Sequence, residues 1–237
     1  MNIMSSLAII ALAALIHASF QLSVSVLTLL GGHAIGTKKS HARVLRLITS
    51  FVFGAGVMTM LLLSFISLVM LSLFGADAPA IIWAIGCGLL FGVGVAVWMF
   101  YYRHEKGTGL WIPRPVASYL HDRTKATQRS AEAFGLGLVS VIGELIFIIA
   151  PLTISALVLI RLSPVWQLAG ISLYAIISLL GLTIVWVLIG SGHKLSAIQQ
   201  WRESNKYFLQ FVAGSGLVIL GFYVYVVEVL GSTVGGV

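Results

Sequence analysis

Residues 134–160 read FGLGLVSVIGELIFIIAPLTISALVLI, a run of 27 residues with a single ionisable side chain, Glu144. At 1.5 Å per residue a helix of that length reaches about 40 Å, enough to cross a hydrocarbon core of about 30 Å with tilt. A membrane strand would alternate polar and apolar over about ten residues. This run is apolar on nearly every face, which predicts a lipid-embedded helix.

Five further segments have the same character: Met4–Leu30, Leu47–Phe74, Ala80–Tyr102, Pro164–Gly190 and Tyr207–Leu230. Across all 237 residues, 59% are hydrophobic and 9% charged, with a mean hydropathy of +1.06. Such a chain cannot build a water-facing exterior, so a soluble fold is excluded. The expectation is an all-α polytopic protein of the cell membrane, a single integral domain over residues 1–237. Its first three-helix half covers 1–102, a basic loop 103–133, and the second half 134–237. The start of the chain resembles a signal peptide in its apolar core, Leu7–Ile16. It lacks a basic residue before that core, however, and the apolar run continues to Leu30, so the first span is expected to be retained.

Fourteen Lys and Arg against seven Asp and Glu would suggest nucleic acid in a soluble protein; here their placement reports orientation. Lys38, Lys39, Arg43 and Arg46 fall between the first two spans, and Arg103, Lys106, Arg114, Arg123, Lys125 and Arg129 between the third and fourth. Lys194, Arg202 and Lys206 fall between the last two, leaving Arg161 alone on the other side. The positive-inside rule then makes those three loops cytoplasmic and puts both termini outside. Within the longest loop, Val116, Tyr119, Leu120 and Arg123 have the spacing of a short basic amphipathic helix on the leaflet, the alternative being a solvated linker. Leu195, Ile198 and Trp201 give the last loop a similar interfacial spacing.

Three spans per half force the halves into opposite orientations, the topological requirement for an inverted repeat. An offset of 123 residues sets Gln21 against Glu144, His17 against Ser140 and Thr28 against Pro151. Polar residues concentrate on the first helix of each half: His17, Ser19, Gln21, Ser23, Ser25 and Thr28 on one, Ser140, Glu144, Pro151, Thr153 and Ser155 on the other. Both Gln21 and Glu144 lie about 15 Å from the basic end at the helical rise, so the two can face one another.

A mid-membrane carboxylate is energetically unfavourable unless paired, hydrated or protonated, which makes Glu144 a candidate proton carrier or cation ligand, or else helix-packing glue. His17 and Gln21, at i and i+4, share a helical face with Ser25 and Thr28 and can line a polar path. Pro151 releases the carbonyl of Phe147, one turn from Glu144. His17, Gln21, Ser25, Ser140, Glu144 and Pro151 are therefore the candidate substrate or ion pathway. Glu228, near the outer end of the last span, reads as interfacial. Ala84, Gly88, Gly92 and Ala96 recur every fourth residue, a small-residue stripe suited to helix packing. No catalytic residue and no cofactor is expected: Ser191 and His193 sit together at a loop rather than in a sheltered site, and His17 and His33 fall on opposite helix faces. One cysteine, Cys87, excludes a disulfide, a dithiol carrier and a multi-thiolate metal site.

The two three-helix halves, each with a polar first helix, resemble the lysine-exporter (LysE) superfamily, which includes amino-acid exporters, metal-ion exporters and CcdA-type electron carriers. The stretch from His17 to Ser25 is similar to the Asp-Ala-Phe-x-x-Ser pattern in the first helix of small manganese exporters, and Gly143 to Pro151 to the proline-containing fourth helix of CcdA proteins. The first span has no acidic residue and the CcdA cysteines are absent, which leaves the metal open and argues against electron transfer. The polar first helices and this resemblance together point to a secondary transporter or exporter of a small solute or cation, with protons as a further candidate species and a homo-oligomer or another membrane partner as the candidate assembly. The competing class is a non-transporting membrane subunit, such as an assembly factor or sensor partner, in which the same polar residues pack helices.

Overall fold

The computed structural model describes residues 2–20, 22–36, 41–101, 114–193 and 195–231, and every regular element among them is helical. In chain order these are α1 (Ile3–Ala18), α2 (Leu22–Gly36), α3 (His41–Phe74), α4 (Ala80–Phe100), α5 (Arg114–Ala126), α6 (Ser130–Leu159), α7 (Pro164–Ser178), α8 (Leu180–Gly190), α9 (Leu195–Ser204) and α10 (Lys206–Val224). A π-helical turn, Tyr225–Leu230, extends α10.

Local chemistry explains several ends. The Asn2 side chain accepts the Ser5 amide at 2.8 Å and opens α1. The Glu132 carboxylate accepts the amides of Gln128 and Arg129, at 2.7 and 3.1 Å, at the start of α6. Pro164 fills the first turn of α7. Gly75 and Gly192, with φ of +68° and +84°, take the left-handed conformation that closes α3 and α8.

Four elements, α3, α4, α6 and α10 with its extension, are each long and apolar enough to cross a membrane. The pairs α1/α2 and α7/α8 pass the same test together but are bent by 46° and 49° at their junctions. This is consistent with a multi-pass membrane protein, as are large apolar side chains on the outside such as Phe53, Phe65, Leu68 and Ile81. The central helix is α6: 78% of its most apolar window is buried, against 11% for α3. The polar residues of residues 134–160 are thus carried through the middle of the bundle.

Backbone contact between α3 and α6 is possible only through glycine. A Cβ at Gly54 would run into the Phe134 carbonyl, and one at Gly137 into the Phe51 carbonyl. Likewise α4 and α10 meet where a Cβ at Gly94 would lie 3.1 Å from the Gly214 carbonyl. The expected small-residue stripe of α4 is not the packing face. Gly88, Gly92 and Ala96 are exposed and Ala84 is half-buried, while Trp83, Gly86, Cys87, Leu90, Gly94 and Val97 turn inward. The physical reason is that an apolar helix has no polar side to orient it, so small residues alone do not distinguish lipid from protein.

The helix ends that carry the basic residues gather at one end of the bundle. There Trp186 of α8 donates to Thr49 of α3 at 2.8 Å, Gln210 of α10 donates to the carbonyls of Val97 and Trp98 at 2.7 Å each, and Arg202 of α9 donates to Ser25 of α2 at 2.7 Å. At the opposite end Arg161 pairs with Glu228 at 2.5 Å and stacks over the Trp83 ring at 4.7 Å. Glu228, read from sequence as interfacial, is therefore a buried partner of the one outlying basic residue. Of the two readings of the long loop, the amphipathic helix is the one observed: α5 buries Leu120 and packs on α2 and α6.

Candidate functional site

The centre of the molecule is where both bent pairs turn. Just past the α7/α8 junction, Gly181 approaches the end of α1 so closely that a Cβ there would lie 3.0 Å from the Ala18 carbonyl. The two bends abut, and α6 passes beside them.

Glu144, at the midpoint of α6, is 3% exposed. Its Oε1 accepts the Ser23 amide at 2.7 Å, and its carboxylate therefore sits at the start of α2. The Leu22 amide faces the same carboxylate, and the Ser23 hydroxyl lies beside it without being aligned to donate. A carboxylate at a helix N-terminus takes up donors that lack intrahelical partners and complements the positive end of the helix dipole. In the interior of a bundle that is a strong reason for the chain to place it there.

His17, in the last turn of α1 and 5% exposed, stands with Nε2 4.0 Å from Glu144 Oε2. That separation is about an ångström longer than a hydrogen bond and too short for a bridging water, so the two are electrostatic neighbours. On its other side, Nδ1 lies 3.2 Å from the Tyr174 hydroxyl of α7. Tyr174 is fully buried. Both bent pairs and the central helix therefore contribute to a row running Tyr174, His17, Glu144 and the amides that open α2, with the α1/α2 pair supplying both His17 and the amides. Next to it Phe20, at the α1/α2 junction, stacks on Phe147 at 5.7 Å and meets Tyr101 edge-on at 5.6 Å. These three rings wall one side.

Of the six pathway residues expected from sequence, His17 and Glu144 come together. Gln21 lies outside the described residues; the contact to Glu144 is made by its near neighbours Leu22 and Ser23. The i, i+4 stripe does not hold as one helical face, because the bend separates His17 on α1 from Ser25 and Thr28 on α2. Ser25 instead accepts from Arg202. Thr28 donates to the Ser25 carbonyl at 2.8 Å. Ser140 is buried one turn before Glu144 and donates to the Gly137 carbonyl at 2.8 Å. Pro151 is buried two turns beyond, and α6 continues through it as one helix. The helix interruptions thus occur in α1/α2 and α7/α8 rather than at the proline.

Tyr174, in the middle of ISLYAIIS, is not among the residues the sequence singles out. A lone tyrosine ten residues inside an apolar run is the signal that could have found it. The Ser191 hydroxyl does reach His193 Nδ1 at 3.0 Å, but in an exposed turn. Among the described residues no three His, Cys, Asp or Glu side chains group closely enough to hold a metal ion. The sequence matches no family model, and neither curated proteins nor solved structures give a match.

Proposed function

We propose that this chain is a secondary membrane transporter or exporter of a small solute or cation, with Glu144 and His17 at its centre. The observation that carries the proposal is the meeting of two interrupted helices around a buried carboxylate, histidine and tyrosine. Interrupted membrane helices expose backbone donors and acceptors at mid-depth, where transporters commonly bind substrates and coupling ions. The burial of Glu144 corresponds to a closed, occluded centre.

The proposal includes six spans in a 3+3 inverted repeat with both termini outside, in the manner of the LysE superfamily. Counting each bent pair as one span, exchange of first with fourth, second with fifth and third with sixth carries the main helix contacts into one another. The second packs on the fourth as the first does on the fifth, the third on the fourth as the first on the sixth, and the first and fourth, and the third and sixth, pack directly. That exchange symmetry supports the repeat. The bends do not follow it, since they interrupt the first and fifth spans.

One observation favours the competing class of a non-transporting subunit. Glu144 is already hydrogen-bonded as the cap of α2, which suffices to explain it structurally. Proteoliposomes with an entrapped pH dye distinguish the two. Under an imposed proton gradient, with buffer alone, with lysine and with manganese(II), the wild type should move protons in at least one condition, and Glu144→Gln should abolish the flux while remaining folded. Equal flux in wild type and Glu144→Gln, or none in the wild type, would overturn the transport role of this residue.

A further inference from the structure

A cleft of about 380 Å³ opens between α5 and the first half of α6, at the basic end of the bundle. Tyr119, Arg123 and Thr127 form one wall and Gly135, Leu136 and Val139 the other. It is polar at one end and apolar at the other. Arg123 is exposed at its rim, with Lys125 and Arg129 exposed close by in sequence. Glu132 also lines the cleft; its carboxylate accepts the amides of Gln128 and Arg129 as the cap of α6 and stays charged, so it offsets part of the positive charge of Arg123 and Arg129 nearby. Asp122, on the same helix, does not line it. At Gly135 a Cβ would meet nothing within 4 Å, so the floor of the cleft is open.

We propose that this cleft binds one anionic phospholipid. Its phosphate would sit against Arg123 and the Tyr119 hydroxyl, and an acyl chain would run along Gly135, Leu136 and Val139 of α6. The shape favours a lipid over a free anion, because the apolar wall would gain nothing from inorganic phosphate. The charge favours an anionic headgroup: basic residues beside a membrane surface attract such lipids by about 1 kcal/mol each, or about fivefold in affinity. On the same face of α5, Val116 and Leu120 press against Gly143, whose Cβ would lie 3.4 and 3.5 Å from them. The lipid site and the residue adjoining Glu144 therefore share one surface helix. The proposal holds whether or not the chain transports.

The test uses the full chain purified in neutral detergent and titrated with dioleoyl phosphatidylglycerol or dioleoyl phosphatidylcholine, with bound lipid counted by native mass spectrometry. Wild type should retain the anionic lipid preferentially. Arg123→Gln should weaken that preference about fivefold, and Gly135→Leu, whose Cβ enters open space, should abolish it. Arg46→Gln removes an equal charge from the exposed start of α3 and should have no effect. Equal retention of both lipids would overturn the proposal. So would an Arg46→Gln effect as large as that of Arg123→Gln, which means diffuse attraction, or competition by inorganic phosphate at equal concentration, which means an anion site. Retained preference in Gly135→Leu would likewise place the lipid elsewhere.

Discussion

The Ser23 amide donates to Glu144 Oε1 at 2.7 Å, which ties the unbroken central helix α6 to the first turn of α2. Accepting that bond and carrying a titratable charge are separable properties of one side chain. Glutamine keeps the reach and an acceptor oxygen; aspartate keeps the charge but is one methylene shorter. Glu144→Gln should therefore melt within about 1 kcal/mol of wild type, whereas Glu144→Asp and Glu144→Ala should lose about 1–2 kcal/mol. Thermal melts of the three variants in one detergent check the order. Equal melting of Gln and Ala variants would show that the cap contributes nothing.

The packing face of α4 and the crossing of α3 with α6 give a contrast among glycines. Gly54→Ala and Gly137→Ala each force a methyl group into a backbone carbonyl, so the helices must separate, with an expected loss above about 2 kcal/mol. Gly88→Ala and Gly92→Ala add a methyl group in open space and should leave the melting temperature unchanged or slightly raised. Folded yield and melting of the four single variants decide it.

At the other end, the Glu228 side chain is 8% exposed and that of Arg161 28%, so the pair is only partly shielded from solvent. Removing Arg161 leaves a nearly buried carboxylate unpaired and also removes the cation from the Trp83 face. Arg161→Ala should therefore destabilise by about 1–3 kcal/mol, less than a fully buried pair. Adding Glu228→Gln to Arg161→Ala should recover part of the loss. A double variant with additive losses would show that the two residues do not interact in the membrane.

How much of this was legible beforehand depended on the kind of signal. The apolar segments coincide with helices or bent pairs, because hydropathy is a property of each segment alone. Glu144 and His17 stood out for the same reason: a polar group in an apolar run is visible without knowing its neighbours. The bend after Ala18 was not legible. Ser19, Phe20 and Gln21 contain neither proline nor glycine, and the interruption is supported from outside by Glu144 and Gly181. Arg161 and Glu228 were each read singly, since nothing in a sequence separation of 67 indicates a partner. The α4 stripe failed because periodicity identifies a face but not what that face meets.

Orientation follows from charge. The basic helix ends share one side of the bundle, and the positive-inside rule predicts that this side is the cytoplasmic one. In a Cys87→Ser background, a cysteine at Asp77 should react with a membrane-impermeant maleimide on intact cells. One at Lys125 should react only after permeabilisation. The opposite pattern would invert the topology and place both termini in the cytoplasm.

Tyr174 offers the most selective test of the central row. Its hydroxyl is fully buried and lies 3.2 Å from His17 Nδ1, so Tyr174→Phe deletes one oxygen and leaves the ring packing intact. When the hydroxyl donates to Nδ1, Nε2 carries the proton and points it at Glu144; without the hydroxyl, neither the tautomer nor the ring position is fixed. If the row serves only to hold helices together, the variant should lose about 1 kcal/mol of stability, and flux per folded molecule should keep its pH profile. If His17 and Glu144 exchange protons with a transported species, an equal change in interaction energy should displace the pH profile by about 0.5–1 unit. Proton flux in proteoliposomes, measured across pH and normalised to folded protein, separates the outcomes. A profile superimposable on wild type would leave Tyr174 a packing residue and remove His17 from the transport path.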